Sequence, residues 1–126
     1  MTGFFTIIAR WPSRCSVVPP ASIDGWTASG FNERFRFYRY TSAQYFKWHQ
    51  DGTHRPSSHE QSFLTFMIYL NDGYEGGATQ FGWETVQPRA GRALVFPHRL
   101  RHQGAPVISG AKYVLRTDVM YTGSDD

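Results

Sequence analysis

From Arg34 to Tyr121 the chain is a succession of short apolar runs, and glycine, proline or the Asn71-Asp72-Gly73 turn stops most of them within a strand's length. Eight such runs follow one another, at 34–40, 45–49, 62–70, 78–81, 84–87, 93–97, 102–108 and 112–121. Each is too short for a packed helix, and each is rich in aromatic and β-branched residues, which fit a pleated, half-buried surface. Composition agrees: ten Phe, seven Tyr and four Trp stand against five Leu and nine Ala. A helix bundle and a disordered chain are both excluded. Short strands at this spacing predict an all-β or β-rich α+β domain, a sandwich or barrel of the jelly-roll kind.

A length of 126 residues holds one good core, not two. The segment 1–31 is poorly defined: Pro12, Pro19, Pro20, Gly25 and Gly30 interrupt it, 4–9 reads as one short strand and 20–30 as a loop. Residues 32–126 form the expected domain. The net charge of +3 rests on 13 basic groups, 11 of them Arg, which suit carboxylate and phosphate contacts. That balance is no nucleic-acid signature. Cys15 is the single cysteine, so no intrachain disulfide forms and a reducing compartment is expected. The apolar stretch 4–9 is too short to span a membrane. Together these features predict a soluble, cytoplasmic protein with no membrane partner; they leave oligomeric state open.

Two sequence features carry chemistry. His49 and Asp51 are two residues apart at the end of a strand, so both reach one face. His102 opens a later strand and supplies a third donor. Two imidazoles and a carboxylate on one side of a metal leave the other positions free, the arrangement of non-haem Fe(II) oxygenases. Lys112 follows His102 by ten residues across the Ser109-Gly110-Ala111 turn, where a hairpin returns its cation beside the metal to meet a dicarboxylate co-substrate.

The stretch 40–51, YTSAQYFKWHQD, resembles the Y-x-x-G-Q-x-x-x-x-H-x-D pattern of prolyl 4-hydroxylase-like Fe(II)/2-oxoglutarate dioxygenases. So do FMIYLN at 66–71, EGGATQF at 75–81, PRAGRALVF at 88–96 and HQGAPVISGAK at 102–112, in the same order. The resemblance implies a double-stranded β-helix of cupin-like form. It implies Fe(II) on His49, Asp51 and His102, with 2-oxoglutarate as co-substrate, ascorbate as accessory reductant, and hydroxylation of a C–H bond. The substrate is then a protein, peptide or small molecule, a prolyl residue among the candidates. Lys112 matches the basic residue that pairs with the distal carboxylate of 2-oxoglutarate. Tyr69 matches a tyrosine that hydrogen-bonds the same group, and Tyr40 a pocket tyrosine. The chain departs from the pattern at Ala43, where Gly is usual, and at Asp118, where some relatives carry Trp. The upstream helices that buttress the larger sheet in relatives are expected to be shortened or absent.

Competing readings bear on several positions. Alternation places Lys112, Val114, Arg116 and Asp118 on one face, so Arg116 either pairs with Asp118 or replaces Lys112 as the anchor. His98 is the rival third ligand. His54 and His59 read as solvated loop histidines. Gly76-Gly77 lets the sheet pass close to a neighbour. The run 34–40 reads as a strand with aromatics inward and Arg outward, against the alternative of a platform for single-stranded nucleic acid. Arg89, Arg92, Arg99 and Arg101 read as a basic rim or as ordinary surface. Cys15 receives no role. The alternative to an enzyme is a non-catalytic metal-binding or protein-interaction module on the same fold.

Overall fold

The computed structural model describes residues 7–10 and 19–125. Its strands are β1 (Ile7–Arg10), β2 (Ser22–Ile23), β3 (Trp26–Phe31), β4 (Arg36–Tyr40), β5 (Phe46–His49), β6 (Glu60–Tyr69), β7 (Glu75–Gly76), β8 (Thr79–Phe81), β9 (Thr85–Val86), β10 (Arg92–Pro97), β11 (His102–Gly104), β12 (Val107–Ser109) and β13 (Lys112–Thr122). No helix occurs among the described residues, so none there is long and apolar enough to cross a membrane.

Strand β13 organises the larger sheet. One edge pairs with β6 from Val114 to Thr122; the other pairs first with β4 and then with β3. The sheet runs β1-β10-β6-β13-β3-β2, with β4 beside β13, and every pairing is antiparallel. A smaller sheet, β5-β11-β8-β9, packs against it, and β7 pairs with β12. Between the two sheets lie Tyr69, Leu94, Phe96 and Val114 from one, and Phe81 and Val86 from the other. Alternation sends Leu64, Val95, Val119 and Tyr121 to the opposite face of the larger sheet. Two curled antiparallel sheets around one core make a jelly roll.

The structure corrects three expectations. Residues 20–30 are not a loop but carry the hairpin β2–β3. Asp24 and Gly25 form its two-residue turn with φ of 48° and 84°, the primed geometry that an Asp-Gly pair favours. Trp26, 4% exposed, anchors the hairpin on Leu64, Val95, Val119 and Tyr121. The run 102–108 is two strands, because Ala105-Pro106 interrupts pairing and Pro106 has no N–H to donate. In the run 34–40, Tyr38 and Tyr40 face the core together with Arg36, while Phe37 is 71% exposed and Arg39 bonds the Tyr113 hydroxyl. The aromatic doublet Phe37-Tyr38 breaks the period, and register against β13 decides which residues turn inward.

The polar segment after Asp51 is largely loop, with β6 starting at Glu60. Gly77 has φ of 74°, and a Cβ there would lie 2.8 Å from the Tyr74 ring and 3.1 Å from the Lys112 stem. Close approach is therefore the reason for a glycine at that point. The run 4–9 overlaps β1 at residues 7–9; its earlier part and Cys15 lie outside the described residues.

Candidate active site

Register brings the metal-ligand candidates together. His49 ends β5, His102 opens β11, and the two are direct cross-strand partners with ring centroids 4.3 Å apart. Asp51 follows two residues later, its backbone N–H donated to the carbonyl of His98 at 2.9 Å. One donor atom from each of His49, Asp51 and His102 lies within 4.8 Å of the others. His49 Nε2 is 3.2 Å from Asp51 Oδ1, and His102 Nε2 is 3.7 Å from Asp51 Oδ2.

The outer nitrogens set the tautomers. His49 Nδ1 meets the Lys47 carbonyl at 2.6 Å, and His102 Nδ1 meets the Leu100 carbonyl at 2.9 Å. A carbonyl only accepts, so each Nδ1 carries a proton, and each ring turns its Nε2 toward Asp51. Burial pushes the His102 pKa down, against the charge of Asp51. Two imidazole Nε2 atoms and a carboxylate converge, and a divalent cation suits that donor set.

Asp51 is held from behind by a directed chain. Its Oδ2 accepts from Thr65 Oγ1 at 2.6 Å. Thr65 has spent its proton, so it accepts from His98 Nδ1 at 2.8 Å. His98 is 5% exposed, and burial pushes its pKa down, keeping it neutral; Nε2 then accepts from Ser62 Oγ at 2.7 Å. Ser62 Oγ in turn accepts the backbone N–H of His54 at 2.9 Å. Both nitrogens of His98 are thus engaged away from the donor cluster, and the ring supports Asp51 indirectly. Neither His54 nor His59 enters the cluster, and both are exposed.

A cavity of about 210 Å³ runs inward from the three donors, with Tyr40, Thr79, Lys112 and Arg116 on its wall. Lys112 is 3% exposed and sits opposite Tyr40 in register. Its Nζ is 5.0 Å from the centre of the Tyr40 ring and 5.9 Å from that of Tyr69. Among the described residues it forms no ion pair, and burial pushes its pKa from 10.5 down to about 8. Burial also raises the Tyr40 hydroxyl to about 12, with Tyr38 adding to the shift, so it remains protonated.

Tyr69 does not meet the cavity. Its ring is fully buried and its hydroxyl lies 2.5 Å from Thr79 Oγ1 and 3.3 Å from the Val86 carbonyl, so Thr79 faces the space instead. The intervening strand β8 is the physical reason, and pattern alone does not place it. Arg116 lies at the donor end, not the Lys112 end: its Nη2 is 3.6 Å from Asp51 Oδ2 and 3.4 Å from Asp118 Oδ1.

These sheets and donors define the jelly-roll oxygenase class. The model of the 2OG-Fe(II) oxygenase superfamily matches residues 35–117, and the chain belongs to that family. Fe(II) and 2-oxoglutarate are the cofactor and co-substrate of that superfamily. Comparison with curated proteins gives no match. Among solved structures, a viral collagen prolyl hydroxylase from Paramecium Bursaria Chlorella virus-1 is 23% identical, with a TM-score of 0.52 over 73% of this chain and 63% of that one. A 2OG-Fe(II) oxygenase family oxidoreductase from Burkholderia pseudomallei is 18% identical, with a TM-score of 0.60 over 78% of this chain and 48% of that one. A Pseudomonas putida prolyl-4-hydroxylase is 20% identical, with a TM-score of 0.52 over 71% and 51%. These likenesses show the fold, and the chain spans less than two thirds of each neighbour.

Proposed function

We propose that the protein is an Fe(II)- and 2-oxoglutarate-dependent dioxygenase that hydroxylates a C–H bond of a peptide, protein or small molecule, with a prolyl residue as the first candidate. His49, Asp51 and His102 would hold the metal, and Lys112 would take the distal carboxylate of 2-oxoglutarate. When bound, the metal and co-substrate supply the oxidising chemistry, with release of succinate and CO2. The chain's own residues do the rest. Thr65 and His98 orient Asp51, the Lys47 and Leu100 carbonyls orient the imidazoles, and Phe96 and Val114 give the cavity part of its apolar wall.

One observation carries this reading: a buried lysine with no carboxylate partner among the described residues lines the same cavity as three converged metal donors. A buried cation is costly unless paired, and a dicarboxylate that reaches from the metal would pair it. Prolyl substrates rest on likeness to the viral and bacterial hydroxylases.

The test is a thermal shift of metal-free protein with Mn(II) and 2-oxoglutarate, followed by succinate release with a panel of prolyl peptides. Stabilisation by the pair beyond either alone is expected. Binding of both without succinate release under any substrate would favour the non-catalytic module. No joint stabilisation would refute the site.

A further inference from the structure

A second cavity, of about 270 Å³, adjoins the first at the donor end and shares Arg36, Gly52 and Arg116 with it. Its remaining wall includes Arg34, Thr53, His54 and Asp118. Arg36 and Arg116 are direct register partners on β4 and β13, and both turn to the same face. Like charges placed opposite one another across an antiparallel pair are destabilising. Arg36 is exposed and Arg116 half-buried, so water screens part of this repulsion and a bound anion would relieve the rest.

The compensating charges are too few. Asp118 Oδ1 is 3.4 Å from Arg116, while its Oδ2 accepts from Asn32 Nδ2 at 3.1 Å. The other carboxylate near Arg116 is Asp51, whose charge a metal would take. Arg34 and Arg36 form no ion pair among the described residues, and Arg116 Nε is buried without a hydrogen-bond partner. Two of the three guanidinium groups on this wall thus have no carboxylate partner among the described residues, and the third reaches Asp51 of the donor cluster.

We infer that this cavity is a subsite for an anionic group of the substrate, a carboxylate or a phosphate, held by Arg34, Arg36 and Arg116. The inference rests on the dioxygenase reading and extends it to substrate class. Guanidinium forks match the planar, multi-acceptor geometry of such anions and keep their charge at any working pH. The subsite lies on the Arg116 side of Asp51, away from Lys112, so an anion held there and the distal carboxylate of 2-oxoglutarate would not compete.

The test uses inorganic phosphate as probe on protein loaded with Mn(II) and 2-oxoglutarate, read by the relaxation of the phosphorus nucleus near Mn(II). Saturable binding is expected. The double variant Arg34→Gln/Arg36→Gln should bind phosphate about tenfold more weakly or worse, since two charge-assisted contacts are lost. Arg89→Gln/Arg101→Gln removes the same charge at two exposed sites and should leave phosphate affinity within about twofold. Equal loss in both double variants, or no loss in the first, overturns the subsite. Acetate in place of phosphate identifies the group, the preferred anion being the one that depends more on Arg34 and Arg36. Should Mn(II) or 2-oxoglutarate fail to bind, the dioxygenase reading fails, and phosphate calorimetry on metal-free protein with the same variants still decides the subsite.

Discussion

Replacing Lys112 with methionine should make the metal-free protein more stable while it destroys co-substrate binding. The lysine is 3% exposed, and its pKa falls from 10.5 to about 8 by burial. At about 1.4 kcal/mol per pKa step, this is a cost of about 3 kcal/mol at neutral pH. The Tyr40 and Tyr69 faces return about 0.5–1 kcal/mol each, so methionine of similar shape should gain about 1–2 kcal/mol. For a domain of this size the melting temperature would rise by roughly 4–8 °C. The pH dependence has a definite sign. Below about pH 8 the lysine is protonated in folded and unfolded chains alike, and the full cost is present. Between about 8 and 10.5 the unfolded chain holds a proton that the folded chain lacks, so stability rises with pH and the cost disappears. Urea denaturation of wild type and Lys112→Met at pH 7 and pH 10 measures this, the difference between the two proteins cancelling the buried tyrosines. The gap should shrink at pH 10, and 2-oxoglutarate affinity, titrated with Mn(II), should fall about a hundredfold or more in the variant. A variant less stable than wild type at pH 7, or a gap that does not change with pH, would refute the unpaired-cation argument.

Other outcomes follow from single contacts. Ala43 has φ of 71°, a left-handed backbone that costs a residue with a Cβ, so Ala43→Gly should stabilise the fold by about 1 kcal/mol in chemical denaturation. Thr65→Val removes the hydroxyl that fixes Asp51 and leaves His98 Nδ1–H unpaired; Mn(II) affinity by calorimetry should drop about tenfold or more. His102→Ala should abolish Mn(II) binding, since two ligands hold a divalent ion poorly, whereas His98→Ala should retain weakened binding. Trp26→Ala should cost about 3–5 kcal/mol in urea denaturation, because the hairpin loses its anchor on the larger sheet.

Local pattern determined a good deal of this protein. Strand-length apolar runs and their glycine and proline stops announce β6, β10 and β13, and a two-residue spacing puts His49 and Asp51 within reach of one metal. The Asp24-Gly25 pair was a readable hairpin signal beneath the apparent loop. Other features needed the assembled sheets. Alternation says which side chains share a face, but β6 is buried on both faces, so apolarity does not say which face meets the cavity. Register against β13 turned Arg36, Tyr38 and Tyr40 inward and set Arg36 opposite Arg116. Strand β8 slid Thr79 between Tyr69 and the cavity. The chain from Ser62 through His98 and Thr65 to Asp51 joins residues up to 36 positions apart, with each proton's direction dictated by its neighbour. Such long-range pairings exist only once the sheets close, because they depend on which strands lie side by side.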